Sequence, residues 1–68
     1  MVKSFYEVAI LKIENSRVKA YNVVGHFLKY IGEYGVNNVQ FHSNIIAIEY
    51  KSGQTKLYNS QGVFFKVL

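Results

Sequence analysis

A chain of 68 residues is one small domain, and such a domain buries only about 60% of its unfolded surface, so its core needs large apolar side chains. Six Tyr and five Phe supply them and argue against disorder, while the lack of Cys excludes a disulfide framework, a thiolate metal site and a thiol nucleophile. The net charge of +4, with no Asp and with Arg17 the sole arginine, favours anionic partners but not base reading by paired arginine contacts.

Phe5 to Ile13 reads as the first strand, apolar on both faces as a central strand is. Lys3 ahead of it and Glu7 within it do not compose a signal peptide. No apolar run approaches the ~18 residues of a membrane span, so no membrane partner is expected and the cytoplasm is the expected compartment. Asn15 or Ser16 can cap a helix, which the spacing of Ala20, Val24, Phe27, Ile31 and Tyr34 predicts over Arg17 to Tyr34. Gly25 and Gly32 each cost such a helix ~1 kcal/mol, and Gly35 ends it.

Three strands follow. Asn37 to His42 alternates, Ser43-Asn44 turns the chain, and Ile45 to Lys51 runs to a two-residue turn at Ser52-Gly53. That turn sets Tyr50 opposite Thr55, Glu49 opposite Lys56 and Ile48 opposite Leu57. Ser60-Gln61-Gly62 is a three-residue loop ending in the glycine that a bulged hairpin needs. The expected fold is α+β: strand, helix, strand, strand, strand, a mainly antiparallel sheet with one amphipathic helix on one face. It occupies 1–68 as a single domain, and no internal repeats are expected.

One helix covers one sheet face. The register puts Ile46, Ile48, Tyr50, Leu57, Val63, Phe65 and Val67 beneath it and leaves Lys51, Lys56, Tyr58, Phe64 and Lys66 on the open side. Those five are the candidate partner-binding residues, because apolar surface rimmed by charge marks interaction sites. Three readings fit that face. Tyr58 and Phe64 cover each other under lysine stems, a second copy forms a homodimer, or a macromolecule docks. In the last case the rings stack bases while lysines meet phosphates, or they anchor a protein interface.

Catalytic chemistry is not expected. Glu7, Glu14, Glu33 and Glu49 form no close pair, His42-Ser43 point to opposite faces of a strand, and two histidines without Cys or Asp make no metal site. The glycines match neither phosphate-loop nor dinucleotide spacing, so no cofactor is expected.

Ile48-Glu49, Gly53, Tyr58 and Gly62 resemble the end of a family of small phage-borne anti-CRISPR proteins that inhibit type I-F surveillance complexes. The resemblance covers the C-terminal third. It implies a strand and helix leading a β-meander, and a non-enzymatic protein that docks on a host ribonucleoprotein where target DNA lies. It also implies non-specific retention of DNA and a phage or mobile-element origin, placing the protein in the host cytoplasm. It assigns no binding residues here. The alternatives are a small basic nucleic-acid binder and a structural homodimer.

Overall fold

Short turns, rather than a helix, organise this chain. The computed structural model describes residues 5–68 and contains seven strands among them. These are β1 (Ile10–Glu14), β2 (Arg17–Tyr21), β3 (Phe27–Ile31), β4 (Val36–His42), β5 (Ile45–Tyr50), β6 (Thr55–Asn59) and β7 (Phe64–Val67). They form two antiparallel meanders, β1-β2-β3 and β4-β5-β6-β7. The fold is all-β, which overturns the α+β expectation.

The expected helix over 17–34 is a hairpin. Arg17-Val18-Lys19-Ala20-Tyr21 alternates at the strand period, burying Val18 and Ala20 completely on one side. The chain then reverses because Asn22 Oδ1 accepts the amides of Val24 (3.1 Å) and His26 (2.8 Å), a local bond that competes with helix formation. The expected capping pair Asn15-Ser16 is itself a two-residue hairpin turn, both residues at positive φ, like Ser43-Asn44 further on. The first strand is shorter than expected, since residues 5–9 are irregular; Lys3 lies outside the described residues.

The turn between β5 and β6 has three residues, not two. Tyr50 N donates to Gln54 O (2.8 Å) and Gly53 N to Tyr50 O (2.9 Å), enclosing Lys51-Ser52-Gly53. Gly53 takes φ +97°, which only glycine adopts cheaply. The extra residue slips β6 by one position, giving Glu49 opposite Thr55, Ile48 opposite Lys56 and Ile46 opposite Tyr58. A one-residue slip turns every side chain of a strand over. Leu57 therefore leaves the core and Tyr58 enters it. The Ser60-Gln61-Gly62 loop is as expected, closed by Asn59 N to Val63 O (2.9 Å).

The two sheets share one core. Val8, Val18, Ala20 and Ile31 meet Val36, Ile46, Ile48, Tyr50 and Tyr58, with Leu11, Leu28, Val39 and Phe41 packed at its edge. One backbone bond stitches the sheets at the crossover, Val36 N to Ser16 O (3.0 Å), and Lys51 N to Gly35 O (2.8 Å) extends the β4–β5 ladder into the link. Gly32, at φ +73°, sits where a Cβ would lie 2.3 Å from the Tyr50 hydroxyl and 2.9 Å from that of Tyr58. The close approach of the β3–β4 link to β6 depends on that missing side chain.

Repetition, not expected from the sequence, is present. Residues 19–29 and 56–66 share Lys19/Lys56, Tyr21/Tyr58, Asn22/Asn59, Gly25/Gly62, Phe27/Phe64 and Lys29/Lys66, and they build the same hairpin. Asn59 Oδ1 accepts from Gln61 N (2.9 Å) and Val63 N (3.0 Å), as Asn22 does in its own loop. The registers match too: Tyr21 faces Phe27 as Tyr58 faces Phe64, with a bulge at the same place in each.

Candidate binding surface

The five candidate residues do not share a face. Lys51 is exposed in the β5–β6 turn, and Lys66 stands on the outer face opposite Leu57. Lys56, Tyr58 and Phe64 turn towards the core side and come together, lining with Gly32 and Glu33 a concavity of about 360 Å³. Lys56 Nζ is 3.0 Å from the Glu33 carboxylate, and Phe64 meets Tyr58 edge-on at 5.8 Å. Tyr58 itself is 4% exposed. Its hydroxyl lies 2.8 Å from that of Tyr50, which accepts the Glu33 amide at 3.0 Å. Burial, then the bond to Tyr50, pushes the Tyr58 phenol well above the usual tyrosine range. Tyr58 is a core residue, so the open face expected from the sequence does not exist in that form.

An open aromatic face exists elsewhere, on the outer side of the first sheet. The odd-numbered side chains of β2 point there: Arg17, Lys19 and Tyr21. Tyr30 stands opposite Lys19 and Phe27 opposite Tyr21. These groups form a row. Tyr21 meets Phe27 at 6.0 Å and Phe27 meets Tyr30 at 5.2 Å, both edge-on. The Arg17 guanidinium then lies 4.5 Å from the Tyr30 ring centre and 5.0 Å from that of Tyr34. Phe27, Tyr30 and Tyr34 are nonetheless 49%, 45% and 68% exposed. Arg17 is anchored rather than free to swing: Nη2 donates to Gly32 O (3.5 Å), and its Nε is buried, with no hydrogen-bond partner among the described residues.

The face is also positive. Lys12 stands directly opposite Lys19, a like-charge pairing that costs stability. Glu14 offsets it by an ion pair with Lys19. The hydrogen bond between them holds the Glu14 carboxyl below its usual range and raises the Lys19 ammonium. The outer face of the second sheet is different in kind, a polar shallow surface formed by Asn38, Gln40, Ala47, Glu49 and Thr55.

The signal for the aromatic row was present as strand alternation in Arg17-x-Lys19-x-Tyr21, but the helical reading of 17–34 scattered those residues round a cylinder. No group of three or more His, Cys, Asp or Glu among the described residues is placed to hold a metal ion. No helix among them is long and apolar enough to cross a membrane. Compared with known proteins, the chain matches no family, no curated protein and no solved structure. Of the arrangement that the anti-CRISPR resemblance implies, the meander is present as β4–β7, and the helix has no counterpart among the described residues.

Proposed function

We propose that this chain is a non-enzymatic binding module that acts by occlusion, covering part of a host ribonucleoprotein with the outer face of its first sheet. One observation carries the reading: a row of exposed rings held in place by a guanidinium and by each other. Ordering such groups before contact removes much of the entropic cost of binding, and Tyr and Arg dominate binding hot spots. The resemblance of the C-terminal third suggests a type I-F surveillance complex as the first partner to try. Immobilised complex should lose target-DNA binding on addition of the protein. Phe27→Ser/Tyr30→Ser should leave the fold intact and abolish the competition; equal competition by the variant would remove this face from the proposal.

A second reading, direct binding of single-stranded nucleic acid, is favoured by Lys12 and Lys19 flanking the same rings. Bases stack on aromatic platforms at about 1–3 kcal/mol each. Affinity for an oligonucleotide should then fall steeply with salt and with Tyr30→Ser. Binding that is undetectable at low salt would eliminate it.

A further inference from the structure

The two copies of the repeated hairpin turn opposite sides to the core. In β2–β3 the side bearing Tyr21 and Phe27 is exposed, and the opposite side, with Ala20 and Ile31, is core. In β6–β7 the side bearing Tyr58 and Phe64 points inward, and the opposite side, with Leu57 and Lys66, points outward. The hairpins are therefore stacked with the same polarity. The tyrosine side of the second lies on the aliphatic side of the first. Gly62, in the second hairpin's loop, packs on Ile31, where a Cβ would meet Cγ1 at 3.0 Å. Lys29 Nζ, from the first, donates to Gln61 O at 2.6 Å.

Stacking of this kind leaves one unfilled surface of each type. The first hairpin's tyrosine side is the aromatic face, and the second hairpin's aliphatic side includes Leu68, which bonds Thr55 O and is 73% exposed. Leu68 stands where Ile31 stands in the first hairpin, and Lys66 where Lys29 stands. Gly25 corresponds to Gly62, but nothing lies within 4 Å of a Cβ built on it. Its loop neighbours Val23 and Val24 are 43% and 58% exposed, an apolar tip where the covered loop has Ser60 and Gln61.

From this correspondence we infer that the aromatic face of one molecule seats on the outer face of the second sheet of another copy, repeating between chains the contact already made within one. The Val23-Val24-Gly25 loop packs on Leu68 of the neighbouring copy, and Lys66 of that copy reaches the Val24 carbonyl. Lys12 and Arg17 face a surface that carries Glu49. The contact is head-to-tail, so each copy keeps one face open and the assembly extends as a stack rather than closing as a two-fold dimer. At matching register positions the receiving surface has Thr55, Ala47 and Glu49 where the first sheet has Val18, Leu11 and Ile13, so it is less apolar than the surface it mirrors. Association is therefore weaker than the intrachain contact and concentration-dependent. The inference rests on the aromatic face being a docking surface, and it names a second occupant for that face.

The chain has no cysteine, so two single-site variants test the geometry. Val24→Cys and Leu68→Cys, mixed and treated with a short bismaleimide, should give at least tenfold more covalent dimer than either variant alone. The double variant Val24→Cys/Leu68→Cys should give a ladder of oligomers. Cross-linking of each single variant with itself as readily as in the mixture, or of none, overturns the inference. Adding Tyr30→Ser to the Val24→Cys partner should suppress the mixed product. If the product survives that change, the aromatic face is not what holds the copies together, and this inference falls. The ribonucleoprotein competition by Phe27→Ser/Tyr30→Ser is a separate readout. Its failure removes the docking role for a host partner, whereas absent cross-links with intact competition remove only the self-stacking.

Discussion

Tyr58→Ser is the most discriminating substitution. With a two-residue turn at Ser52-Gly53, Tyr58 would be a surface residue, and its truncation would cost within about 0.5 kcal/mol. In the three-residue register it stands opposite Ile46, 4% exposed, with its hydroxyl on that of Tyr50. Truncating a buried aromatic side chain costs ~3–5 kcal/mol. A 68-residue domain has only ~3–10 kcal/mol in all, so Tyr58→Ser should forfeit from about a third to all of the stability and melt far below wild type. Tyr58→Phe keeps the ring and loses one hydrogen bond, at about 1 kcal/mol, which is ~4–8 °C in melting temperature for a domain this size. Tyr30→Ser, on the open face, should melt close to wild type. The assay is thermal and urea unfolding of all three variants. A Tyr58→Ser protein that melts within a few degrees of wild type would refute the register and the core assignment together.

Gly32→Ala should cost several times more than Gly25→Ala in the same unfolding assay. Both positions have positive φ, at roughly 1–2 kcal/mol for an L side chain, but only at Gly32 would the new methyl strike the Tyr50 and Tyr58 hydroxyls. Equal losses would mean that the β3–β4 link does not press on β6. A third expectation concerns alkali. The raised Tyr58 phenol stays protonated when the unfolded chain's tyrosine ionises, so the stability it supplies is full below about pH 10. Above that pH it is lost at up to ~1.4 kcal/mol per pH unit. Urea midpoints should fall above pH 10 in wild type and less steeply in Tyr58→Phe; parallel curves would show that Tyr58 titrates freely.

The strands from Asn37 onward are legible because turn chemistry marks where each ends: Ser43-Asn44, Gly53 and Ser60-Gln61-Gly62. The length of the Gly53 turn is not, since Ser52-Gly53 fits a two-residue hairpin as readily as Lys51-Ser52-Gly53 fits a three-residue one. That single residue decided which side of β6 is core, and with it whether Lys56, Tyr58 and Phe64 were surface. The helical reading of 17–34 failed differently. Ala20, Val24, Phe27 and Ile31 do recur at helical spacing, yet Asn22-Val23-Val24-Gly25 has the same end residues as Asn59-Ser60-Gln61-Gly62. Helical spacing claims the first of them, and turn chemistry claims the second. Setting the two hairpins side by side resolves the ambiguity, because the identical Tyr-Asn-x-x-Gly-x-Phe frame must have one local solution.

The meander connectivity bears on how the chain reaches this state. Every ladder joins strands adjacent in sequence, so each closes a loop of two or three residues before any distant segment has to be found. Small loops lose little entropy on closure, and hairpins form in about 1–10 μs. The step that must bring distant segments together is the packing of one sheet on the other about the Gly32–Gly35 link. An all-β protein wired this way should fold faster than a Greek-key sandwich of equal size. Substitutions in the Asn22 and Asn59 loops should retard refolding, while those at Ile31 or Ile48 should mainly hasten unfolding.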